Sequence, residues 1–229
     1  KFAIYDVHAS TSSQTKHYEY EQSFEIVKNA LSVLGEDYVQ VLDTAKQQRW
    51  IDVFANYGKD TGAFSWGCYD ANPVVLLNYE GAVNCGFTLA HELGHMMHTY
   101  YSNQNQPYQK AGYEIFVAEV ASTVNEMLMV KYHLKNANTK QDKLFYLDYL
   151  LKMFYSTVFR QTMFAEFEQE IHSRYEKSED TTADALNEFY YSLNQKYFGE
   201  KVELIDEIKY EWSRIPHFYS SFYVYKYAT

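Results

Sequence analysis

The pentapeptide His91-Glu92-Leu93-Gly94-His95 constrains this chain more than any other segment. Two histidines four residues apart stack one helical turn above the other, so on an α-helix their imidazoles can share a single metal ion. Glu92, next to the first of them, is placed to act as a general base on a water at that metal. A surface helix with two solvated histidines is the competing reading. Against it, Phe87, Leu89, Ala90, Leu93, Met96 and Met97 give the segment the apolar character of a core helix. Buried histidines and a buried glutamate need partners, and a metal satisfies all three. The pattern is that of a zinc hydrolase.

Such a site takes three protein ligands and keeps a fourth position open. His98 shares the helical arc with His91 and His95, but it lies about 10.5 Å along the axis from His91. With ligand bonds of about 2 Å, one ion cannot reach all three unless the helix breaks. His98 is therefore expected in the surrounding cleft, where it could touch substrate. Glu119 is the better third ligand, because its neighbours Ala118, Val120, Ala121 and Ser122 are small or apolar and a carboxylate there needs a cation. A lysine or arginine could be that cation, and Glu114 and Glu126 compete for the ligand role from more polar surroundings. A short connection over 103–111 would bring the two helices side by side.

The chain's 229 residues suffice for one substantial domain. A net charge of −10 without a basic run disfavours nucleic acid and anionic membrane surfaces as partners. No apolar run approaches the roughly 20 residues of a bilayer span, and no signal-peptide pattern is visible. Cys68 and Cys85 do not make a disulfide framework, which suggests a reducing cytoplasm, although a bridge between them is geometrically open. The 24 tyrosines suit packed helices with polar tips and a cleft lined by hydroxyl donors.

Apolar spacing predicts helices over 20–34 and 36–48, the first ending at Gly35. Between Trp50 and Gly86 the glycines, Pro73 and the runs 63–69 and 74–79 predict strands of a small sheet beside the metal helix. Such a sheet edge is a platform on which a peptide can add as an extra strand. Further helices are expected over 87–103, 111–134, 141–175 (kinked or split), 182–197, 201–212 and from 217 onward. The fold class expected is mainly α with a small β-sheet. The final residues read as the inside of a helix and the first is Lys1, so the chain is expected to be cut at both ends.

Several segments together resemble one family. Thr88–His98, Phe116–Thr123, Phe159–Glu168, Ile215–Tyr219 with Phe222–Thr229, Arg49–Asp52 and Gly58–Phe64 are similar, in order, to oligoendopeptidase F of the thimet-oligopeptidase-like zinc metallopeptidases. The resemblance covers essentially the whole chain. It implies a zincin-like catalytic domain over 1–229, forming the C-terminal catalytic portion of a longer enzyme. It implies cytoplasmic cleavage of short peptides, one Zn2+ held by His91, His95 and Glu119, and Glu92 as base. It also implies that His217 and the nearby tyrosines face the substrate. His217, Tyr219, Tyr223 and Tyr225 are the tail's candidate donors to the oxyanion, with Tyr219 and the cleft residue His98 as candidate substrate contacts. Two rivals remain at this stage, a zinc-retaining peptide-binding fragment without turnover and a zinc hydrolase acting on small amides.

Overall fold

The computed structural model describes residues 2–9 and 16–228. In chain order the elements are β1 (Phe2–Ala3), α1 (Tyr20–Leu31), α2 (Glu36–Gln47), β2 (Ile51–Asp52), β3 (Phe64–Trp66), β4 (Val74–Leu76), α3 (Val83–Asn105), α4 (Tyr108–Ala111), α5 (Ile115–Asn136), α6 (Lys140–Phe154), α7 (Arg160–Glu176), α8 (Ala183–Phe198) and β5 (Val202–Glu203). The fold is mainly helical with a small sheet, as expected. The chain divides into two compact units, Ser12–Leu150 and Lys1–Thr11 with Leu151–Thr229.

In the Ser12–Leu150 unit, α1 buries Phe24, Val27 and Leu31, spaced three and four apart so that they form one stripe. A 3-10 turn (Ser32–Leu34) carries the helix on to Gly35, whose φ of +109° is open to glycine. The sheet has the order β2-β4-β3, with β2 parallel and β3 antiparallel to β4. Both predicted strands exist but stop early. Gly67 and Pro73 sit against each other where the hairpin closes: a Cβ on Gly67 would lie 3.3 Å from that of Pro73. Helix α3 runs through the core on Phe87, Leu89, Leu93, Met96 and Met97, all buried.

Helices α3 and α5 pack closely because Gly94 faces the small residues of α5. A Cβ at Gly94 would stand 2.7 Å from both the Ala121 carbonyl oxygen and Ser122 Cα, so only a hydrogen fits. That approach brings Glu119 to the histidines.

On the same helix His133 is 9% exposed, its ring stacked on Tyr146 at 4.3 Å. Burial, with a smaller contribution from the positive charge of Lys16, pushes its pKa down to about 4. The neutral ring is therefore the folded form, while the unfolded chain takes up a proton below about 6.5. Stability must fall as pH drops from about 6.5 toward 4, by about 3 kcal/mol in total. In urea unfolding, His133→Phe, which keeps the ring stack, should lose about 2–3 kcal/mol less than the parent between pH 7 and 4.5. Equal losses would contradict this account of His133.

In the other unit, β1 and β5 pair in parallel, and Met163, Phe164, Phe167, Leu186, Tyr190, Leu193, Ile215 and Val224 form the core. The long helical stretch is divided by a π turn at Tyr155–Phe159, where an extra residue is accommodated without Gly or Pro. Arg160 pairs with Glu211 (2.7 Å), which also accepts from Tyr190 Oη at 2.7 Å. Glu166 pairs with Lys196 at 2.8 Å. The helices predicted over 201–212 and from 217 are not α-helices. Residues 202–203 join the parallel pair, and Asp206–Arg214, Pro216–Tyr219 and Val224–Ala228 are 3-10 segments. Pro216 opens the second of these, where its missing N–H is no loss, but it cannot continue the first past Ile215. Thr229 lies outside the described residues.

Candidate metal centre

Three donor atoms converge between α3 and α5. His91 Nε2 and His95 Nε2 are 3.2 Å apart, and each lies 3.4 Å from Glu119 Oε2. A tetrahedral ion with bonds of about 2.0–2.1 Å holds its donors about 3.3–3.4 Å apart. The spacing therefore fits a metal, and the two-histidine, one-carboxylate set suits zinc. Among the described residues this is the group of histidine, cysteine or acidic side chains arranged to hold an ion.

Each donor is oriented by its surroundings. Nδ1–H of His91 donates to Glu126 Oε1 at 2.6 Å, which leaves the Nε2 lone pair facing the other donors. Tyr149 Oη donates to the second oxygen of Glu126 (3.2 Å), and its ring stacks on Phe87. Ser122 Oγ donates to Glu119 Oε2 at 2.9 Å. Burial works against charge on both His91 and Glu119. It is overcome by the Glu126 bond at His91, whose pKa rises, and by His95 and His91 at Glu119, whose pKa falls. Three lone-pair donors this close repel one another unless a cation lies among them.

Glu126, weighed from the sequence as a rival ligand, holds His91 from behind. Its position seven residues after Glu119, on the same face of α5, was a readable signal; the part played by Tyr149 carried none. Glu126→Gln should weaken metal binding about 10–100-fold in chelator competition while leaving the fold intact. Unchanged affinity would remove Glu126 from the site.

Glu92 is buried, and one carboxylate oxygen has no hydrogen-bond partner. Burial raises its pKa above the ordinary carboxylate range, with His91 and His95 opposing. It lines a cleft of about 670 Å³, together with Thr61, Ala63, Asn78, Glu80 and Thr88. Strand β3 is one of the two outer strands of the sheet, β2 being the other. His98 lies a turn beyond His95, stacked on Tyr113 at 3.7 Å. Cys68 and Cys85 are free thiols.

The tail residues belong to the other unit. His217 Nε2 lies 3.2 Å from Tyr227 Oη, and the rings of His217, Tyr223 and Tyr227 form a cluster at 5.2–5.8 Å. Tyr227 was not singled out from the sequence. Tyr219 is exposed and donates to the Ser213 carbonyl, and Tyr225 is exposed beside α7.

A helix pair presenting this donor set defines a site of metallopeptidase type. The chain belongs to Peptidase family M3, whose sequence profile matches residues 2–229. It is 48% identical over 210 residues to Oligopeptidase PepF of Bacillus subtilis, covering 92% of this chain and 31% of that protein. It is 42% identical over 228 residues to the chromosomal Oligoendopeptidase F of Lactococcus lactis subsp. cremoris, covering 100% and 38%. A crystal structure from Chlamydophila abortus matches with a TM-score of 0.85 at 42% identity, over 100% of this chain and 38% of that one. The oligoendopeptidase-F of Enterococcus faecium matches with a TM-score of 0.66 at 32% identity, over 100% and 33%. The chain thus spans about a third of the length of the relatives it matches. Among the described residues no helix is long and apolar enough to cross a membrane.

Proposed function

We propose that this chain forms the catalytic part of a zinc-dependent, cytoplasmic endopeptidase that cleaves internal bonds of short oligopeptides, with both compact units serving one catalytic domain. The observation that carries the reading is the triangle of His91 Nε2, His95 Nε2 and Glu119 Oε2, 3.2–3.4 Å on each edge, beside Glu92 in a cleft. A zinc ion held by His91, His95 and Glu119 would supply Lewis acidity toward a scissile carbonyl and a lowered pKa for water.

The chain's own residues do the rest. His91, His95 and Glu119 fix the ion, and Glu126 fixes His91. Glu92 accepts the proton of the attacking water and delivers it to the leaving amine. Strand β3 offers an edge on which an extended peptide can pair. His217, Tyr223 and Tyr225 are the proposed donors to the developing oxyanion, and Tyr219 and His98 the proposed substrate contacts.

Hydrolysis of an internally quenched oligopeptide by the full-length enzyme tests this reading. Loss of activity on chelation and recovery with a single equivalent of zinc are expected. Chelator-insensitive cleavage would contradict it.

A further inference from the structure

Glu168 is a buried carboxylate that none of the chemistry above uses. It lies on the inner face of α7, 5% exposed, and among the described residues no cation pairs with it. Its Oε1 accepts the backbone N–H of Phe222 at 2.5 Å. Phe222 has a φ of +59°, in the left-handed region that a bulky residue rarely adopts. Its ring stacks on His172, one turn further along α7, at 4.7 Å.

The turn at 220–223 is fastened to α7 on both sides as well. Before it, the Phe218 ring packs edge-on against Phe164 and Phe167 at 5.2 and 5.3 Å. After it, Val224 is fully buried in the same core. Hydrophobic contacts thus fix the two flanks, and a side-chain oxygen accepting the Phe222 N–H fixes the strained tip. A buried N–H left without an acceptor costs about 1–3 kcal/mol, so this bond supports a conformation the backbone does not favour by itself. If it were released, Phe222 would relax toward negative φ. That rotation would turn Tyr223, the next residue, away from His217.

We propose that Glu168 is a positioning residue for the tail: its carboxylate holds the 220–223 turn so that His217 and Tyr223 are presented together. The inference rests on the reading that these two residues face the substrate. A conserved shape without charge, as in Glu168→Gln, keeps an acceptor oxygen in place, whereas Glu168→Ala removes it.

The test uses the full-length enzyme with zinc bound. In Glu168→Ala, amides 220–223 should exchange with deuterium at least about tenfold faster while α7 stays protected. Its kcat should fall about 10–100-fold with KM little changed, as expected when a group acting in the transition state is misplaced. Glu168→Gln should recover most of both. Phe222→Gly, added to Glu168→Ala, should recover part of kcat, because glycine adopts positive φ without strain; it also serves if Glu168→Ala alone folds poorly. Unchanged exchange at 220–223 would overturn the proposal. So would faster exchange with unchanged kcat when Tyr223→Phe does lower kcat. If His217→Ala and Tyr223→Phe both leave kcat unchanged, the underlying reading of the tail fails, whatever Glu168 does.

Discussion

Glu92→Gln should leave the metal bound and remove most hydrolysis. Glutamine keeps the size of the side chain but cannot take a proton, and the three donor atoms do not include residue 92. Removal of a positioned general base lowers rate about 10²–10⁴-fold. The paired measurements are turnover of a quenched peptide and metal content per chain by elemental analysis. Parent-like turnover in the variant would sink the assignment of Glu92. Loss of the metal would instead give Glu92 a part in holding it. The same experiment separates an enzyme from a zinc-retaining binding fragment, because metal binding alone makes no use of this carboxylate.

The second large effect belongs to a residue with no side chain. Gly94→Ala adds one methyl group 2.7 Å from the Ala121 carbonyl oxygen and Ser122 Cα. Backbone cannot yield as a flexible side chain can, so α3 and α5 must separate. Overpacking of this kind lowers stability by about 1–3 kcal/mol. The larger consequence is chemical: Glu119 moves with α5, and a donor shifted even a fraction of an ångström no longer meets a tetrahedral ion at about 2 Å. Metal affinity should fall at least tenfold, comparable with the loss of an orienting partner. Chelator competition and thermal melting of the metal-free and metal-loaded protein measure the two parts separately. Parent-like affinity and melting would show that the close approach of the helices does not set the site.

What could be read in advance followed the range of the interactions involved. The metal helix, its buried face and the small residues around Glu119 are local patterns, and α3 and α5 have them. Gly94 was visible as part of the pentapeptide, yet its meaning depends on Ala121 and Ser122 of another helix. The same holds for β1 and β5, where Phe2 pairs with Val202 across most of the chain. β2 was likewise hidden, since Ile51–Asp52 is too short to alternate and is recruited by Val75–Leu76. The tail misled for the opposite reason. Its aromatic density imitates a buried helix, but Phe218 and Val224 reach the core from 3-10 segments, with Phe222 held in the left-handed region between them. Tyr149 was unreadable because its partner Glu126 lies on a different helix and no local period marks the tyrosine.

The central claim is that one zinc ion sits among His91, His95 and Glu119. Crystals of the zinc-loaded protein, measured on both sides of the zinc absorption edge, test it most directly. The account predicts a single anomalous peak about 2 Å from His91 Nε2, His95 Nε2 and Glu119 Oε2, present above the edge and absent below it. A peak coordinated by His98 or Glu126 in place of Glu119, or no peak between the two histidines, would contradict it.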